Sequence, residues 1–151
     1  MAPNPGKKRR NLADMTSQPL RLDYRRRADA VLVVDGPIYL SVAGDRLHQR
    51  EWHHRGRVVD FALNQYITCD HPDNPGGESA DIARVDTCHS EVHKHQFYRS
   101  GRPQQRDVIC ALHDADSLEQ AEDMICGCYD ACYFDMADEW EDRLVRWKDG
   151  E

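Results

Sequence analysis

The sequence predicts an α+β fold: an antiparallel β-meander sheet with one long C-terminal helix packed across a face. Three observations carry this. From Ala30 to Leu112 the chain breaks into short stretches of alternating apolar and polar residues between turn signals. The connections are mostly too short for the crossover that parallel strands require, so neighbours pair antiparallel. From Ser117 onward the apolar residues instead recur in steps of three and four, the period of a helix facing a core.

The elements follow in order. Residues 1–28 hold three prolines and little apolar periodicity, and read as a disordered or loosely docked basic arm before a single domain over 29–148. Leu20, Leu22 and Tyr24 alternate within it and suit a short strand. Ala30–Val34 and Ile38–Ala43 flank the turn signal Asp35-Gly36-Pro37. Arg46–His54 alternates weakly, and Arg55-Gly56-Arg57 turns into Val58–Thr68, where Val59, Phe61, Leu63, Gln65 and Ile67 share one face. Cys69–Ser79 is too rich in Pro, Gly, Asp and Asn for a regular element. Ile82–Cys88, Val92–Arg99 and Arg106–Leu112 complete a sheet of about five to seven strands. Ser117 and Gln120 form a capping box for the helix. Its stripe runs Leu118, Ala121, Ile125, Cys128, Cys132, Met136, Trp140, Leu144, Trp147, with Gly127 as its weak point.

Composition bounds the function. The chain has 151 residues, one domain's worth. Its longest apolar run, Ala30–Val34, cannot span a bilayer, and no apolar run follows the basic residues Lys7–Arg10 as in a signal peptide. The expectation is a cytoplasmic protein, with no membrane partner, whose six cysteines are reduced thiols. Charge is uneven: residues 1–27 carry a net +6 and residues 114–151 a net −10, within a total of −7. A basic arm suits an anionic partner such as RNA, while the acidic end suits a different contact or plain solvation.

The densest reactive stretch is Arg84–His95 (RVDTCHSEVHKH), which also reads as strand, tight turn and strand. If the turn holds an even number of residues, Asp86 faces His93 and Arg84 faces His95. All four then share one face at cross-strand Cβ separations of about 5 Å. His89 sits at the turn, and Lys94 points the opposite way. Two imidazoles near their ordinary pKa can serve as general base and acid, a carboxylate can orient one of them, and a guanidinium can hold phosphate. These parts suit RNA cleavage without a metal: His93, His95, Asp86 and His89 catalytic, Arg84 and Lys94 on phosphate. Zinc is the open alternative: Cys69, His71, Cys88, His89, His93 and His95 are all chemically competent ligands, and His93 and His95 share a strand face that suits two of them, but Cys69-x-His71 lacks the paired spacing of a structural zinc module. A solvated polar strand face is the bland reading. Cys126, Cys128 and Cys132 lie within the helix, where Cys128 and Cys132 act as small hydrophobes.

On Arg84, Asp86, Thr87, His89, His93-Lys94-His95, Val108-Ile109 and Ser117-Leu118-Glu119-Gln120, the stretch of about 82–125 resembles the TumE-like family of bacterial toxin–antitoxin toxins. The resemblance implies a small RNA-directed nuclease toxin with a cognate antitoxin protein as partner. The alternative from the residues alone is a non-catalytic interaction module, zinc-bearing or not, acting through the basic arm and acidic helix. Nothing in the sequence sets the oligomeric state.

Overall fold

A computed structural model describes residues 21–150. Six strands form one antiparallel sheet in chain order: β1 (Val31–Tyr39), β2 (Asp45–His54), β3 (Arg57–Ile67), β4 (Ala80–Cys88), β5 (Glu91–Gln96) and β6 (Gln105–Ala111). A 3-10 turn at Leu112–Asp114 leads into helices α1 (Leu118–Asp138) and α2 (Trp140–Asp149). The expected α+β meander is present. Among the described residues no helix is long and apolar enough to cross a membrane.

Alternation along the strands decides what is core. On β3, Val59, Phe61, Leu63, Gln65 and Ile67 are at most 2% exposed, while Ala62, Asn64 and Tyr66 on the other face are half-buried. Leu47, Phe61, Leu63, Val85 and Val92 pack against Ala121, Ile125, Tyr129, Cys132 and Met136 of α1. Phe61 and Tyr129 meet edge to face with centroids 5.0 Å apart. A smaller cluster of Ile67, Ile82, Leu144 and Trp147 seats α2. Both helices therefore cover one face of the sheet.

Two expected boundaries are corrected. Asp35-Gly36-Pro37 does not turn; β1 runs straight through it, pairing Gly36 with Gln49 and Pro37 with His48. β1 is an edge strand with only one ladder to satisfy, so a residue without an N–H is tolerated there. The turn comes later, at Leu40–Gly44. Gly44 has φ +111°, and a Cβ there would collide with the Thr68 hydroxyl, so this position requires glycine.

The single long helix is in fact two, broken at Glu139 (φ −101°, ψ 22°) rather than at Gly127. Local propensity gives no reason for a break there; buried polar contacts link the two helices across it. Arg143, 1% exposed, donates from Nε to Gln65 Oε1 at 3.0 Å, from Nη1 to the Asp135 carboxylate at 3.3 Å, and from Nη2 to the Asp135 carbonyl. Gln65, fully buried on β3, donates in turn to the Trp140 carbonyl at 2.9 Å. The Asp135 carbonyl, which also accepts the Glu139 N–H at 3.1 Å, and the Trp140 carbonyl thus receive side-chain donors that tie both helices to β3.

Residues 1–20 of the expected basic arm lie outside the described residues. Residues 21–27 form no strand but are docked. Tyr24, 8% exposed, donates from its hydroxyl to the Val59 carbonyl and from its backbone N–H to Ser90 Oγ at 2.8 Å. Arg26 bonds Asp60 at 2.9 Å and stacks 4.0 Å over Trp52. Arg27 grips Glu122 with two bonds, at 2.8 and 2.9 Å. These two cations are committed within the fold.

Replacing Arg143 by Ala leaves Gln65 Oε1 without its donor and opens a cavity. Urea unfolding should show a loss of about 3 kcal/mol. A loss below about 1 kcal/mol would mean that the junction does not depend on this side chain.

Candidate functional site

The face of the sheet opposite the helices carries the polar residues, and the β4–β5 hairpin sets their register. His89 and Ser90 form a two-residue turn with both residues left-handed, at φ 52° and 59°. Asn-Gly is the usual occupant of such a turn, and a non-glycine residue in this conformation costs about 1–2 kcal/mol. Tertiary contacts offset that cost: Ser90 Oγ accepts from the Tyr24 N–H at 2.8 Å, and the Ser90 carbonyl accepts from the His113 N–H at 3.1 Å. With two turn residues, Asp86 pairs with His93 and Arg84 with His95, as the even-turn register requires.

Two rows of side chains then cross the open face. One runs Arg50, Ala62, Asp86, His93; the other runs His48, Asn64, Arg84, His95, Arg106. Ala62 is the smallest of these, and the sheet is hollow around it. A polar groove of about 470 Å³ lies there, bordered by His48, Arg50, Asn64, Arg84 and Asp86.

Asp86, His93 and His95 converge beside this groove. One carboxylate oxygen and one nitrogen from each ring lie within 4.8 Å of one another. His95 Nε2 is 3.9 Å from Asp86 Oδ1. The His95 ring lies parallel to Phe97 and meets His93 edge-on, with centroids 5.6 Å apart. Asp86 Oδ1, His93 Nδ1 and His95 Nδ1 are all buried without a hydrogen-bond partner. Buried polar atoms are seldom left so, and three in one cluster call for an explanation.

His93 is 1% exposed, and its Nε2 lies 2.9 Å from Glu91 Oε2 and 2.8 Å from Arg106 Nη2. A guanidinium can only donate. Nε2 therefore either gives its proton to Glu91 or presents its lone pair to Arg106. Arg106 also donates to Glu91 at 3.0 Å. Burial is the main influence lowering the His93 pKa from its ordinary value; the Arg106 and His95 charges act the same way, against Glu91. His93 is thus held neutral.

Other candidates fall elsewhere. Lys94 does not join the phosphate side. Alternation turns it to the helix face, where it bonds Asp135 at 2.6 Å. His89 lies at the hairpin tip, in a separate recess with Tyr24, Asp60 and Thr87. The alternative zinc set is not assembled. Cys69 and His71 follow β3 near the start of β4, while Cys88 and His89 lie at its far end, about 26 Å away at the rise of an extended strand. His71 is also occupied, with Nε2 3.2 Å from Asp45 and Nδ1 accepting from the Asp73 N–H.

Sequence reasoning missed Glu91 and Arg106 around His93, and His48, Arg50 and Asn64 along the groove. Glu91 was within reach, since it lies two residues before His93 and so on the same strand face. The others needed the cross-strand registers.

His89→Gly should relax the turn while leaving the cluster intact. Thermal unfolding should rise by about 3 °C, equivalent to about 1 kcal/mol. A fall would mean that the His89 side chain supports the fold.

The open face thus holds a carboxylate, two imidazoles and a cation-lined groove on a chain that matches no protein-family model, no curated protein and no solved structure, so the site rests on its own chemistry.

Proposed function

We propose that the open sheet face binds RNA and cleaves its phosphodiester backbone, with Asp86, His93 and His95 as the reacting centre. The observation that carries this reading is the hairpin register, which sets a carboxylate and two imidazoles against a groove flanked by Arg50, Arg84 and His48. Arg84 is the freest of these cations: its one close carboxylate, Asp81, is 3.4 Å away and both side chains are well exposed. It can meet a phosphate with two parallel hydrogen bonds. Arg50 shares Asp35 with His48 at the groove's other rim, so its charge is only partly neutralised. The roles then differ from symmetrical acid–base work by two histidines. Asp86 lines the groove and, with His95 beside it, suits contact with the reacting atoms, while buried His93 holds the cluster from behind. Phosphodiester cleavage needs positive charge where negative charge develops and a group to move a proton, and both are at hand here.

As a toxin the protein would have a neutralising protein partner. A specific feature suits one: edge strand β1 exposes Val31, Leu32 and Val33, which are 62%, 42% and 56% exposed, beside its unpaired backbone. Such an edge invites an added strand. The same edge favours the second reading, a non-catalytic interaction module that works by strand addition alone.

The test is cleavage of a labelled single-stranded RNA by the purified chain. Wild type should cut it, and His95→Ala should lose at least about 100-fold while keeping its unfolding midpoint. Arg84→Ala should weaken RNA binding and flatten its salt dependence. Intact RNA after incubation with folded wild type removes the nuclease reading and leaves the interaction module.

A further inference from the structure

We propose that Asp86, His93 and His95 bind a divalent transition-metal ion of the zinc class, with Glu91 orienting His93 from behind. The site stands on its own geometry. It also names the cofactor of the reacting centre proposed above, and in that respect rests on that reading.

Four features point to it. The first is the donor set: two imidazole nitrogens and one carboxylate oxygen, from adjacent antiparallel strands, within 4.8 Å of one another. Ligand atoms about 2.1 Å from a tetrahedral ion are about 3.4 Å apart, so side-chain shifts of about 1 Å would close the site. The second is the set of orphaned atoms. Asp86 Oδ1, His93 Nδ1 and His95 Nδ1 are buried and unpartnered, and His93 is 99% removed from solvent. A solvated strand face would not leave donors and acceptors buried in this way.

The third is the support behind His93. Its Nε2 is taken up by Glu91 at 2.9 Å, and Arg106 holds Glu91 at 3.0 Å. Binding a metal through Nδ1 requires the proton on Nε2, where it would donate to Glu91. That is the carboxylate–histidine–metal arrangement that fixes the ring and raises its basicity. Arg106 also approaches Nε2 at 2.8 Å, which suits only the other tautomer. Metal binding therefore has to move the guanidinium off the ring and onto Glu91 alone. The fourth is access. Asp86 borders the 470 Å³ groove, so a further coordination position would open toward a substrate.

Three protein ligands with an open position match a catalytic rather than a structural zinc site. The nitrogen-rich set favours zinc, iron or manganese over magnesium or calcium, which prefer all-oxygen ligands. No thiol takes part: Cys69 and Cys88, both exposed, lie outside the cluster. When bound, the ion would supply an activated water to the groove.

The full chain, stripped with a chelator and dialysed, is titrated with ZnCl2 by calorimetry, and thermal unfolding is followed in parallel. Wild type should bind one equivalent and unfold at a higher temperature with zinc present. His95→Ala and Asp86→Asn, both at partly exposed positions, should weaken binding at least about 100-fold. Glu91→Gln should weaken it about 10- to 100-fold, as expected for an outer-shell partner. The Cys69→Ser/Cys88→Ser double variant should bind as wild type does, and the Co2+ form should lack thiolate charge-transfer absorption. No binding by folded wild type, or binding unchanged in both His95→Ala and Asp86→Asn, overturns the site. The two proposals also fail separately. Zinc binding without RNA cleavage keeps the metal site and removes the nuclease, whereas cleavage by chain that binds no zinc keeps the nuclease and removes the metal.

Discussion

The arrangement of the open face depends on one tight turn. His89 and Ser90 both occupy the left-handed region, where neither side chain is comfortable, and the reward is a two-residue connection between β4 and β5. One residue more or fewer would shift the pairing and send His93 and His95 to the helix side. The docked segment at Leu22–Tyr24 and the 3-10 turn after β6 clamp Ser90 from both sides. The strain is local, whereas its compensation comes from segments 66 or more residues before Ser90 and 23 after it. Strain kept in place by distant contacts is a common mark of a working site.

The two sides of the sheet divide the labour. The helix side is a packed apolar layer whose few polar members are mostly engaged: Gln65 and Arg143 bond each other and backbone carbonyls, and the Gln96 amide nitrogen donates to carbonyls while its Oε1 has no partner. The open side is polar, hollow around Ala62, and holds the buried polar atoms of Asp86, His93 and His95 that lack partners. Burying polar groups without partners is costly, and ring contacts among His93, His95 and Phe97 leave those atoms unpaired. That contrast separates the cluster from ordinary surface histidines such as His54, which rests against Asp29 at 3.2 Å.

Charge tells a similar story. Acidic residues dominate the last helices, yet two of the four arginines in the described part of the arm do not wait for an external anion. Arg26 and Arg27 are held by Asp60 and Glu122. Positive character free to meet a phosphate lies instead on the sheet, at Arg84 above all. A charge count along the sequence locates basic residues but not the free ones, because pairing is settled between segments far apart in the chain.

What the sequence determined by itself was whatever depends on period and parity. The two-residue period of the strands separates Val59, Phe61, Leu63 and Ile67 from Ala62, Asn64 and Tyr66; the helical stripe names Ala121, Ile125, Cys132, Met136, Leu144 and Trp147; and parity places Asp86 opposite His93. Tertiary structure decided the rest. Gly36 and Pro37 stay within a strand only because β1 lies at an edge, and the break at Glu139 is bridged by Gln65 and Arg143, which meet from opposite parts of the chain. Burial and the Arg106 charge lower the His93 pKa against the pull of Glu91, and the first two come from segments brought together in space. Periodicity acts over neighbours in the chain, so it can be read there. Burial, pairing and the tuning of a single imidazole arise where distant segments meet, and no local pattern records them.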